Sequence, residues 1–198
     1  MKRCDEMFVQ KNCTEIINIE HEIKVVGLSL EKFGFSKQAE KIGDLWGVYE
    51  KLYREKVANV RSPVVNYGFW YSKPDGDYDY LAGSAVTDVE NIDDELIAHS
   101  IPSGKYIKVS FNAKNFSDLV CEYDIVNSFN VAHKHAEANN LKIKAMPSFR
   151  ISGIEVYPHE RMCIGKENGP KWGLLLDKTL ISASITQFPE MYTITAIE

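Results

Sequence analysis

The chain has no Cys-x-x-Cys pair, no basic run, no Gly-x-Ser-x-Gly elbow and no Gly-Lys-Ser/Thr phosphate loop. It also has no stretch near the ~20 apolar residues that a membrane span needs. Each absence removes a class of function. Cys4, Cys13, Cys121 and Cys163 match no zinc or disulfide spacing, so they read as free thiols of a reducing compartment. His133 and His135 stand two apart on a helix and cannot face one metal, and His21, His99 and His159 have no ligand partner at a useful spacing. No metal, no cofactor and no catalytic residue is therefore expected. The net charge of -5, without clustered Lys or Arg, excludes direct nucleic-acid binding. Residues Met1 to Glu6 are not followed by an apolar signal core, so a cytoplasmic location and no membrane partner are expected. The segment 165–171 carries glycines but lacks a phosphate loop's ending, and it reads as a plain loop.

What remains is an ordinary globular composition, 44% hydrophobic and 26% charged. A chain of 198 residues suits one domain that buries roughly 70% of its unfolded surface. Residues 1–14 are polar and aperiodic, a flexible arm, and 15–198 read as a single domain. Positions 16–33 form a long strand or a bent pair centred on Val25 to Leu30. Ser36 is the expected N-cap of a helix whose stripe is Ile42, Leu45, Trp46, Tyr49, Leu52 and Tyr53, ending near Asn59. Two strands, 64–72 and 78–87, flank the turn Lys73-Pro74-Asp75-Gly76-Asp77. A strand opened by Gly104, a helix over 117–138 stopped by Asn139-Asn140, and strands at Gly153–Tyr157 and from Met191 complete the pattern. The order strand, helix, strand, strand occurs twice. It predicts an α+β domain with a mostly antiparallel sheet and a cleft between the two units.

The chemistry concentrates at Glu155, because an acid is a poor strand residue unless something holds it there. Glu155 and Tyr157 share one face of their strand. Tyr67, Phe69 and Tyr71 share a face on one hairpin strand, opposite Trp70, and Tyr78 and Tyr80 share a face on the other. Rings with a polar handle can line a cleft around the acid, with Trp46 at its border. A carboxylate among negative ring faces suits a lipophilic cation or an aromatic molecule.

The pieces VVGLSL, IGDLWGVYE, NYGFWY, YDYLAGSAV, IPSGKYIKVSF and GIEVYPHER, in this order over 16–161, resemble the GyrI-like domain. That domain is the effector-binding half of several bacterial multidrug-sensing transcription activators and of integron-associated effector-binding proteins. The resemblance implies two strand-helix-strand-strand units related by a pseudo-twofold axis, with Glu155 at the base of the cleft. It places aromatic lining on Tyr67, Tyr80 and Tyr106, with Trp46 beside them. Two departures stand out: no helix-turn-helix segment is present, which reads as a stand-alone ligand domain, and residues 158–189 form an atypical insertion before the last strand.

The leading expectation is capture of a lipophilic, cationic or aromatic small molecule, with a link to transcription regulation or to drug or toxin resistance. One alternative is a hydrolase that opens cyclopropane-bearing toxic compounds, with Glu155 acting on water. Another is an interaction protein whose acidic run Asp88 to Glu95 meets a macromolecule. A homodimer or a separate protein partner stays open.

Overall fold

The computed structural model describes residues 13–62, 65–112, 122–146, 153–158 and 190–198. In chain order these build strand β1 (Cys13–Ile19), strand β2 (Ile23–Ser29), helix α1 (Ile42–Val48), strands β3 (Val65–Ser72) and β4 (Tyr78–Val86), strands β5 (Ile97–Ile101) and β6 (Gly104–Asn112), helix α2 (Glu122–Ala138), and strands β7 (Gly153–Pro158) and β8 (Glu190–Ile197). The fold is α+β. All eight strands join one sheet in the order β1-β6-β8-β7-β3-β4-β2-β5, and every pairing is antiparallel.

The sheet order shows the internal duplication. One unit is β2-α1-β3-β4 and the other is β6-α2-β7-β8. Each unit places its third strand in the middle, and the two meet through their second strands, β3 and β7. Only Val65 to Gly68 of β3 pair across this seam, against Glu155 to Pro158. The cross-strand row Val109–Thr193–Glu155–Gly68–Ala82–Leu28 runs through the seam with Glu155 and Gly68 at its centre.

The flanking strands tie the units together. β1 pairs with β6 of the other unit, and β5 pairs with β2. The stretch 13–29 thus lies antiparallel to 97–112 as one bent ribbon. Its register steps by one residue at the bend, from Ile19↔Gly104 to Ile23↔Ile101. Three residues, 20–22, link β1 to β2 and can span at most about 15 Å. A flat sheet would hold these strands, six places apart in the order, about 29 Å from each other. The sheet is therefore strongly curved.

Both helices cover one face. Leu45, Trp46 and Tyr49 pack with Val26, Leu28, Tyr80, Ala82 and Tyr157, and Ala132 and Ala136 of α2 pack with Ile107, Val109 and Ile197. The opposite face closes over Val25, Phe69, Leu81, Ile101, Tyr106, Ile154, Val156 and Ile194.

The first helical segment departs from its expected form. Ser36 does not cap it: Lys37 takes a left-handed conformation, φ 64°, and helical structure starts with a 3-10 turn at Ala39–Lys41. α1 then widens into a π-helical turn at Tyr49–Tyr53 and tightens into a 3-10 turn at Arg54–Lys56. The wide turn shifts the phase of the side chains. Leu52, expected on the apolar stripe, is 57% exposed, while the Glu50 side chain is only 4% exposed. The hairpin turn forms as expected, with Gly76 at φ 82° and Lys73 N–H donating to the Asp77 carbonyl. Asn140 ends α2 in a left-handed conformation, φ 54°. Cys13 and Thr14, read from sequence as part of a loose arm, belong to β1. Residues 1–12, residues 117–121 of the expected second helix and the segment 159–189 lie outside the described residues. Among the described residues no helix is long and apolar enough to cross a membrane.

Gly27 of β2 faces Gly83 of β4, and a Cβ on Gly27 would lie 2.1 Å from the Ala82 carbonyl oxygen. Backbone on both sides leaves no room to yield. Gly27→Ala is expected to destabilise the domain by about 1–3 kcal/mol, read as a lowered urea midpoint with an unchanged slope.

Candidate functional site

Glu155 sits at the seam with its side chain under α1, 8% exposed. The register puts it opposite Gly68, so its face of β3 carries Asn66, Gly68 and Trp70, and its face of β4 carries Tyr80. Gly68 leaves the space that the acid uses. A Cβ there would lie 2.1 Å from the Tyr80 hydroxyl oxygen and 2.9 Å from Glu155 Oε2. Into that space the Tyr80 and Tyr157 hydroxyls both donate to Glu155 Oε2, at 2.7 and 2.6 Å. The Trp46 indole N–H donates to the Tyr80 hydroxyl at 3.2 Å. The Trp46 ring meets Tyr157 edge-on at 5.1 Å, and Trp70 meets Tyr80 at 5.5 Å.

Among the described residues no Lys, Arg or His pairs with Glu155, whose hydrogen-bond partners are the two phenols. Burial pushes its carboxyl above the ordinary range, and the two phenol hydrogen bonds pull in the opposite direction. Burial, with the neighbouring carboxylate, pushes Tyr80 and Tyr157 well up, so both remain donors at neutral pH. The site is a buried acid held by neutral hydrogen bonds, with no counter-cation among the described residues.

A second polar network adjoins it on the same face. Asn66 pairs in register with Tyr157. Its amide donates to Glu50, which takes Arg54 at 2.7 Å, and its carbonyl accepts from Ser84 Oγ at 2.7 Å. Tyr49 and Ser84 share a further hydrogen bond of 2.8 Å. The π-helical turn brings Glu50 inward to close this chain of contacts.

The structure brings Tyr80, Tyr157 and Trp46 to Glu155. It does not bring Tyr67, Phe69, Tyr71 or Tyr106, which lie on the opposite face of the sheet. The hairpin register decides this, since Tyr80 stands opposite Trp70 while Tyr71 stands opposite Asp79. Among the described residues, the rings of Tyr67, Phe69 and Tyr71 therefore do not wall the acid, and of the expected lining Tyr80, Tyr157 and Trp46 meet it. Phe69 and Tyr71 instead pack against His99, at 5.4 and 5.0 Å, and Tyr71 donates to the buried Asp79. Tyr106 donates to the Pro102 carbonyl at the ribbon bend. Sequence reasoning assigned no role to Gly68, Asn66, Glu50 or Trp70 at the site. The turn centred on Asp75 carries the signal for Trp70, because residues equidistant from it face each other. Among the described residues no group of three His, Cys, Asp or Glu is arranged to hold a metal ion.

The geometry is that of a buried acid beneath a helix, on a curved antiparallel sheet of two fused units. The family model described as integron-associated effector binding protein matches residues 15–170. The chain belongs to that family. Its fold is also that of the EcmrR C-terminal domain, at 12% identity and TM-score 0.54, covering 96% of this chain and 99% of that one. In the EcmrR–DNA complex the same likeness covers 57% of the EcmrR chain. SAV2435, solved bound to tetraphenylphosphonium, matches at 9% identity and TM-score 0.51, covering 94% of each chain. An integron cassette protein of Vibrio cholerae aligns with 95% of this chain and 97% of its own at 14% identity, TM-score 0.49. A search of curated protein sequences gives no match.

Two outcomes follow from the geometry. Because the folded carboxyl of Glu155 titrates above its unfolded value, its contribution to stability is complete below the ordinary carboxylate range and is lost as pH rises through the raised value. Glu155→Gln is therefore expected to gain stability relative to wild type as pH rises, in thermal melts from pH 4 to 8. Gly68→Ala is expected to cost about 1–3 kcal/mol and to displace the Tyr80 hydroxyl, visible as a changed Trp fluorescence spectrum.

Proposed function

We propose that the chain captures a lipophilic, cationic small molecule at Glu155. The observation that carries this reading is a carboxylate, 8% exposed, that has phenol donors and no cation beside it among the described residues. Burying such a charge is costly unless a partner neutralises it. A cation with diffuse charge loses little hydration on transfer, and Trp46, Trp70, Tyr80 and Tyr157 offer ring faces and edges around it. SAV2435, which shares this fold, was solved with tetraphenylphosphonium, a cation of this class. Trp46 covers the acid from α1, so ligand access requires α1 to shift relative to the sheet. EcmrR joins a domain of this fold to a chain that binds DNA. A link from ligand capture to transcription in the present protein would follow the same logic.

A second reading draws on the raised carboxyl of Glu155. A base held above the ordinary range suits proton transfer with water, as in hydrolysis of a strained cyclopropane. Turnover of an activated cyclopropane substrate that disappears in Glu155→Gln would select it over capture.

For capture, titration with tetraphenylphosphonium and with a rhodamine dye is expected to show saturable binding that weakens at least about tenfold, or 1.4 kcal/mol, in Glu155→Gln. Equal affinity of the two proteins would remove the carboxylate from the mechanism.

A further inference from the structure

On the α2 side of Glu155 lies a group of side chains that the phenol-held acid does not use. Gly153 stands two residues before Glu155 on the same face of β7, paired with Thr195 of β8. Thr195 is 1% exposed, and among the described residues its Oγ1 is the buried side-chain polar atom without a hydrogen-bond partner. Such atoms are uncommon in folded proteins. On the same face Thr193 pairs with Glu155 in register and donates to Ser128 of α2 at 3.0 Å.

The missing side chain at Gly153 leaves a notch, and Phe129 of α2 fills it. A Cβ on Gly153 would lie 1.9 Å from Phe129 Cε1. The other unit shows what the corresponding place can hold. There Gly68 faces Glu155 across the seam, and two residues before it stands Asn66, paired with Ser84. The Asn66 carbonyl accepts from Ser84 Oγ at 2.7 Å. In the second unit glycine takes the place of that asparagine, and the half-buried ring of Phe129, which offers no acceptor, covers it instead.

We propose that this notch is a subsite for the ligand: Phe129 turns aside, and a captured cation lays a hydrogen-bonding group against Thr195 while its charge stays at Glu155. The inference rests on cation capture at Glu155 and narrows the ligand class to lipophilic cations that carry an N–H or O–H group. Thr195 is the diagonal cross-strand neighbour of Glu155, roughly 7–8 Å away. A fused aromatic ring system spans that distance. Gly153 contributes only backbone to the floor, so a flat ring can lie close to the sheet where Phe129 lies in the free protein.

The test titrates the full chain with two dyes that share a cationic xanthene body. Rhodamine 6G carries N–H donors on its amines, and tetramethylrhodamine methyl ester carries none. Wild type is expected to prefer rhodamine 6G, and Thr195→Val to reduce that preference at least about fivefold. The free Thr195→Val protein is expected to melt at a higher temperature, because it loses a buried hydroxyl without a partner. A hydroxyl with only a structural role would leave the dye ratio where it was. Phe129→Ala, which empties the notch, is expected to strengthen binding of both dyes, and Gly153→Ala, which fills it, to weaken both. An unchanged dye ratio in Thr195→Val, full affinity in Gly153→Ala, or weaker binding in folded Phe129→Ala would each overturn the subsite. Capture itself would still stand if tetraphenylphosphonium binds wild type and weakens in Glu155→Gln. No saturable binding of any of the three cations would overturn both.

Discussion

Two phenol hydroxyls on one carboxylate oxygen set the geometry of the domain's centre. Tyr80 comes from one unit, Tyr157 and Glu155 from the other, and Gly68 supplies the gap in which they meet. The Trp46 indole N–H extends the chain of contacts to α1. Any change of charge at the acid is thus felt by both phenols and, through their contacts with Trp46, by the helix. The neighbouring network of Arg54, Glu50, Asn66, Ser84 and Tyr49 pins the other end of the same helical segment to β3 and β4. A helical segment held at both ends by polar contacts, besides its apolar packing, shifts only when those contacts break.

The two faces of the sheet separate two chemistries. Under α1 lies an acid whose partners among the described residues are two phenols, and on the reverse side Tyr71 donates to Asp79 and Tyr106 to the Pro102 carbonyl. Strand periodicity enforces this division, because adjacent residues of β3 and β7 must point opposite ways. Val156, between Glu155 and Tyr157 in sequence, belongs to the other core.

Much of this was legible beforehand. Alternation and turn chemistry located the strands other than β5, the duplicated order pointed to the architecture, and an acid in a strand marked Glu155. Grouping the rings failed because composition tells how many tyrosines exist, whereas register tells which face each one takes. The turn at Lys73–Asp77 held enough information to place Tyr80 with Trp70, and so apart from Tyr67, Phe69 and Tyr71. The fate of Glu50 and Leu52 was not legible. A continuous 3.6-residue period puts Leu52 inside, and only the widened turn, a product of tertiary packing, reverses the two. Nor does the sequence show that β1 and β5 exchange partners, since pairing between distant strands leaves no local pattern.

That exchange has a bearing on how such a molecule arises. Each unit, with its preceding strand, lends that strand to its neighbour and receives one in return. A lone copy of such a module would leave its lent strand unmatched and its own sheet edge bare, and two copies would complete each other by trading arms. The present chain is the covalent form of that trade. Its bent ribbon acts as a double strap, so the halves cannot drift apart without breaking the pairing on both sides of the bend.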